Sequence, residues 1–268
     1  MARCTAPRSA GSAEAGPSRR AFWAGAAGSL AAPWIASARA LGLGDAAAGK
    51  LKVLILTGND YPGHRWQLTA PVLAAILQKD PRFKVTVEDK PEFLASPDLQ
   101  AFDVIVLHWM NWECPDPGPA ARENLKRFVE GGKGLCMVHF SCGAFKDWPG
   151  FKDLAGKIYD PKLRGHDPYG AFRVEIRSAR HPITKGLEPF ETEDELYTCL
   201  AGDKPVEVLA TARSKVDGKD YDMAFVLAYG KGRVFHSPLG HDVKAFQAPG
   251  VGELFRRACA WLGGLPQP

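Results

Sequence analysis

The sequence predicts an α/β sandwich with a mainly parallel central sheet and added antiparallel strands. Three observations carry this. Between residues 51 and 138, short apolar runs alternate with amphipathic segments in the order strand, helix, strand, strand, helix, strand. The strand runs are apolar at nearly every position, as expected of strands covered by helices on both faces. In the second half, paired runs joined by the turn Tyr229-Gly230-Lys231-Gly232 read as antiparallel strands instead.

Residues 41–50 (LGLGDAAAGK) form a short lead, and Leu51 to Leu56 is the first strand, closed by the turn chemistry of Thr57-Gly58-Asn59-Asp60. Thr69 to Leu77 carries apolar residues at helical spacing and stops before Asp80-Pro81. Phe83 to Val87 and Asp103 to Leu107 are strands, and Pro119 to Val129 is a helix ended by Gly131-Gly132. GKGLCMVHFSCGAF (132–145) then reads as a buried strand running into a tight turn. Phe172 to Ile176, Val206 to Thr211, Asp222 to Ala228 and Arg233 to Pro238 are the added strands. Val251 to Leu262 is a terminal helix with Leu254, Ala258, Trp261 and Leu262 on one face. The length suits a single domain.

Residues 1–40 join the pair Arg19-Arg20 to an Ala/Gly-rich apolar run and the small-x-small site Ala38-Arg39-Ala40. This is the pattern of a twin-arginine export signal, which implies recognition by the Tat machinery and a periplasmic or secreted product. The segment carries five arginines and one glutamate, so the whole formal charge of +4 leaves with it. The remaining near-neutral chain has no basic field for nucleic acid or anionic lipid, and no stable membrane insertion is expected once the signal is removed. Cys114, Cys136, Cys142, Cys199 and Cys259 remain, with no CxxC spacing. They are expected to be mostly free and buried.

Ligands of open α/β sheets bind beyond the carboxyl ends of the strands. His64, His108, His139 and His241 all map to that rim. In GKGLCMVHFSCGAF, Cys136 belongs to the strand, and strand length puts His139 at the turn. Cys142, before Gly143-Ala144, is better placed for exposure and could be a thiol nucleophile. Imidazole at the turn suits proton transfer or metal binding. Trp66, Trp109 and Trp112 lie near the same rim, where aromatic faces could stack on a sugar. His181, before Pro182, reads as structural.

LKVLILTGNDYPGHRW, FDVIVLHW, GGKGLCMVHFSCGAF, HPITKGL, DELY, VLATA and YGKGRVFHSPLGHD together resemble the ThuA-like, or trehalose-utilisation, family across nearly all of residues 51–268. That resemblance implies a flavodoxin-like, class I glutamine amidotransferase-like three-layer sandwich without the Cys-His-Glu triad. It also implies a role in carbohydrate metabolism. Met137 and Ser141 replace the glycines that flank an amidotransferase elbow, and Leu239 stands where the triad glutamate would follow Phe235-His236-Ser237-Pro238, which argues against glutamine hydrolysis.

Position by position, the resemblance places the family's recurrent polar residues on His64, Trp66, His139, His166, Asp194, Glu195 and His241; by their chemistry His139, His241 and Glu195 are expected to share acid–base work, and His64, Trp66, His166 and Asp194 to bind the ligand. The expected partner is a small carbohydrate, a disaccharide or keto-sugar. No cofactor is required by any motif: no compact metal motif such as HExxH is present, no residue is assigned as a metal ligand, and a divalent metal held by histidine and glutamate is the open alternative. A non-catalytic sugar-binding module is the competing expectation.

Overall fold

The computed structural model describes residues 49–267. The expected signal over 1–40 and most of the lead lie outside the described residues. Nine strands form one sheet in the order β2-β1-β3-β4-β11-β10-β9-β6-β7. The first five are β2 (Phe83–Glu88), β1 (Leu51–Leu56), β3 (Val104–Leu107), β4 (Gly134–Val138) and β11 (Gly232–Ser237), all mutually parallel. The other four, β10 (Asp220–Tyr229), β9 (Glu207–Arg213), β6 (Gly170–Ile176) and β7 (Phe190–Asp194), extend the sheet antiparallel from β11. β5 (Ile158–Tyr159) and β8 (Leu200–Ala201) make a separate two-stranded patch.

Strand alternation sorts the core into two layers. Val53, Ile55, Val104, Val106, Cys136, Val138 and Phe235 pack with Leu73 and Leu77 of α1 (Trp66–Gln78) and with Leu254, Phe255 and Ala258 of α5 (Pro249–Leu262). Their sequence neighbours Leu54, Leu56, Ile105, Leu107, Leu135, Met137 and Val234 point the other way, onto Leu125, Phe128 and Val129 of α2 (Pro119–Glu130). α3 (Gly150–Ala155) extends that second layer, and α4 (Val243–Gln247) leads into α5. Residues one apart thus face opposite helix layers, so the parallel strands are apolar throughout.

Helix α1 begins at Trp66, one turn before the periodicity alone places it. The Trp66 indole and the Gln67 amide both donate to Asp60 Oδ1, at 3.1 and 2.6 Å, and these anchor the extra turn ahead of Pro71. The topology puts the segments after β1, β3, β4 and β11 at one edge of the sheet. The chain after β7 turns onto the same edge, where His166 bridges Tyr197.

Candidate active site

The turn after β4 is the pivot. Val138 has extended backbone, and at His139 the chain switches to φ +46°, a left-handed conformation uncommon for a side chain as large as imidazole. Such strain costs about 1–3 kcal/mol and persists where the surroundings fix it. Here a 3₁₀ turn, His139–Gly143, follows at once, and Ser141 Oγ accepts the Val138 N–H at 2.9 Å. His139 Nδ1 lies 2.6 Å from the Pro238 carbonyl beyond β11. A carbonyl only accepts, so Nδ1 carries the proton and Nε2 turns toward the rim.

Three loops bring partners to that Nε2. His241 Nδ1 is 3.2 Å away, the Tyr197 hydroxyl 3.0 Å and Glu195 Oε2 3.6 Å. Glu195 Oε2 is also 3.1 Å from His241 Nδ1, while Oε1 lies 3.5 Å from His166 Nε2. His64 completes the group, its ring centroid 5.0 Å from that of His139 and 5.4 Å from that of His241. It stacks on Phe140 at 4.3 Å, and its Nδ1 is buried without a hydrogen-bond partner. One donor atom from each of His64, His139, Glu195 and His241 falls within 4.8 Å of every other.

Electrostatics follow from this crowding. Burial, reinforced by the neighbouring His139 and His241, lowers His64 to about 2, so its ring is neutral. Burial favours the protonated form of Glu195, but the close imidazoles of His139 and His241 outweigh it and hold the carboxyl well below the usual range. For His241, burial opposes the charged form and the Glu195 carboxylate overcomes it, raising the imidazole.

The expected site residues separate into three groups. His64, His139, Glu195 and His241 converge, and His166 stands at their edge, with its Nδ1 donating to the Asp167 carbonyl at 2.7 Å. Asp194 is not a ligand-facing residue: it is fully buried, and its carboxylate accepts the N–H groups of Gly240 (2.7 Å), Glu195 (2.8 Å) and His241 (3.2 Å). It holds both arms of the site in place. Trp66 is likewise turned away, its indole tied to Asp60.

His108 reaches the rim level but is sealed off between the Thr57 and Thr69 hydroxyls, at 3.1 and 3.2 Å, beside the Phe140 ring. Trp109 is core, packed on Phe145, and His181 is structural, accepting the Ile183 N–H and packing on Trp261. Cys142 is a further correction. It is 1% exposed, packed with Tyr197 and Cys199, and burial drives its thiol well above the usual range, the opposite of an activated nucleophile. Cys136, Cys142, Cys199 and Cys259 are all free and buried.

Residue-type reasoning gave no role to Tyr197, Tyr61 or Tyr169, all of which frame the site. Trp112 packs edge-on and Tyr61 tilted beside His64, and Tyr169 flanks His241. Gly143 permits this, because a Cβ there would meet the Trp112 indole nitrogen at 2.1 Å. A cleft of about 680 Å³, lined by Gly63, Arg65, Thr69, His241, Asp242 and Lys244, opens beside His241 and is large enough for a sugar.

Comparison with known proteins agrees with this architecture. The family model described as trehalose utilisation, ThuA, matches residues 52–262. A ThuA-like protein from Parabacteroides merdae is 25% identical, with a TM-score of 0.70 over 82% of this chain and 92% of that one. A ThuA-like protein from Bacteroides uniformis is 20% identical, with a TM-score of 0.65 over 82% and 94%. A cytoplasmic protein from Salmonella typhimurium shares the fold at 13% identity, with a TM-score of 0.54 over 79% and 99%. No curated protein matches significantly.

Proposed function

Since this chain belongs to the ThuA family, named for trehalose utilisation, we propose that it is an exported enzyme of carbohydrate metabolism acting on a disaccharide or keto-sugar. Its chemistry is proton transfer at the rim cluster, without amidotransferase activity. The observation that carries this reading is the Glu195 carboxylate set among His139, His241 and His166, at 3.6, 3.1 and 3.5 Å, beside a sugar-sized cleft.

A carbon next to a ketone is acidic because the enolate spreads its charge onto oxygen. A carboxylate that takes that proton, opposite an electrophile facing the oxygen, supports isomerisation, elimination or glycosidic cleavage. Glu195 is the base in this reading, and the histidine side of the cluster faces the oxygen. The aromatic fringe of Tyr61, Trp112 and Tyr169 suits the apolar face of a sugar ring. His139 at the elbow and the burial of both nearby thiols support the absence of glutamine hydrolysis. Export rests on Arg19-Arg20 and the apolar run behind them, outside the described residues.

The test is a screen of native and 3-keto disaccharides with product analysis. Turnover of one of them should fall about 100-fold or more in His139→Ala and in His241→Ala. Full turnover in both variants, or tight sugar binding by calorimetry with no product after long incubation, overturns the proposal. The second result would mark a binding module.

A further inference from the structure

We propose that His64, His139, Glu195 and His241 bind one divalent first-row transition-metal ion, of which zinc is the working example. The inference rests on the reading of this cluster as the functional centre, supplies its electrophile, and moves Glu195 from base to ligand.

Donor spacing is the first argument. Four nitrogen and oxygen ligands at 2.0–2.2 Å around a tetrahedral ion lie about 3.4 Å from one another. The three closest donors of the cluster are separated by 3.1, 3.2 and 3.6 Å. His64 is the fourth, within 4.8 Å of all the others, and needs only a modest closing movement.

The second argument is donor orientation. With its Nδ1 proton fixed on the Pro238 carbonyl, His139 presents an Nε2 lone pair to the centre, the arrangement in which a histidine ligand is oriented by a backbone carbonyl behind it. His64 is buried, neutral, and has a ring nitrogen with no partner among the described residues, an arrangement that costs roughly 1–3 kcal/mol unless something else satisfies it. Glu195 offers Oε2 to the centre while His166 faces Oε1, and Asp194 holds the backbone of both Glu195 and His241. His139, Glu195 and His241 thus come with support behind them, and His64 with a ring nitrogen left to satisfy.

The third argument is donor chemistry. Three imidazoles and one carboxylate suit zinc, manganese or iron rather than calcium or magnesium, which favour all-oxygen sets. Bound there, the ion would supply positive charge toward a substrate oxygen, which an imidazole nitrogen facing the centre with a lone pair cannot offer. Glu195 would then be a ligand, leaving His166 and Tyr197 as the groups next to the centre with protons to move. Tyr197 would also have to turn its hydroxyl away from His139 Nε2.

The test uses the full chain, freed of metal by dialysis against chelator and titrated with zinc by calorimetry, with metal content measured before and after. The proposal expects one equivalent per chain. Binding should be at least about 10-fold weaker in Glu195→Gln and in His241→Gln, with circular dichroism confirming that both variants are folded, and unchanged in His181→Asn. The cobalt-loaded protein should show the intense visible bands of a four-coordinate site, and those bands should be lost in Glu195→Gln. No saturable binding, or equal binding by the wild type and both cluster variants, overturns the proposal. Metal-free protein that turns over a keto-sugar at the metal-loaded rate would overturn the ion's part as electrophile and leave the proposed activity standing. Site-specific zinc binding with no sugar turned over would do the reverse.

Discussion

His139 follows β4 and His236 lies in the neighbouring strand β11, paired with Met137 two residues earlier, and the two behave as opposites. Both are fully buried, one just past the end of β4 and the other inside its parallel neighbour β11. His139 has a carbonyl behind one nitrogen, with a hydroxyl, an imidazole and a carboxylate before the other. His236 packs against Phe225, and neither of its nitrogens makes a well-formed hydrogen bond; weak help from the Ala155 backbone does not offset burial. Burial alone therefore yields only a neutral filler. A site requires the position beyond the strand end, where the backbone can turn and three loops can meet.

The strongest way to break this contrast is to dissolve the convergence without touching a ligating atom. Asp194→Ala removes the acceptor shared by the N–H groups of Glu195, Gly240 and His241. One buried and two part-buried donors then lose their partner, and the expected cost is about 2 kcal/mol or more, since an unsatisfied buried group costs roughly 1–3 kcal/mol. Activity on a cognate sugar should fall at least as far as in His139→Ala, because both Glu195 and His241 lose their placement. Denaturant unfolding and a turnover assay measure the two effects. A variant of wild-type stability and activity would mean that the loops converge without this anchor.

The sheet, and His139 at its turn, were legible because they follow from apolar periodicity and strand length, which are local properties. The partnership of His139 with Glu195 and His241 was not local: these residues are 56 and 102 positions away, and while strand ends put both histidines on one rim, only the ThuA resemblance brought in Glu195. Asp194 was misread for a physical reason. A carboxylate beside Glu195 in the run Glu193-Asp194-Glu195 looks solvated or ligand-facing, and nothing in the sequence shows that the Gly240-His241 backbone turns toward it. Cys142 was misread similarly, since the small residues after it suggested exposure but instead let Trp112 close over the turn.

Acidification sharpens the contrast from the other side. His236 is lowered by burial to about 3 in the folded chain, against an ordinary value of 6.5. Above pH 6.5 neither state is protonated there and the group contributes nothing. As the pH falls from 6.5 toward 3, the unfolded chain takes up a proton that the folded chain refuses, so stability is lost across that window. At pH 4.5 the loss is about 2–3 kcal/mol for this one histidine. Comparing wild type with His236→Leu isolates it. The variant should keep its stability between pH 6.5 and 4.5 better by that amount, with turnover at pH 7 unchanged. Parallel stability curves for the two proteins would show that His236 finds a partner when charged.

His108 supplies the finest test, because it is a third kind of buried histidine, satisfied but closed off. Burial lowers it to about 3, as for His236, yet the Thr57 and Thr69 hydroxyls stand at its two nitrogens. Thr57→Val keeps the shape of that side chain and removes one hydroxyl, leaving His108 Nδ1 without its partner. The expected loss is about 1–2 kcal/mol in denaturant unfolding at neutral pH. No effect on turnover is expected, since the His108 ring is separated from the cluster by Phe140 and contributes no donor atom to it. A fall in activity larger than the fall in stability would mean that His108 communicates with His139 through Phe140, and the boundary drawn between satisfied core histidines and the site would have to move outward to include it.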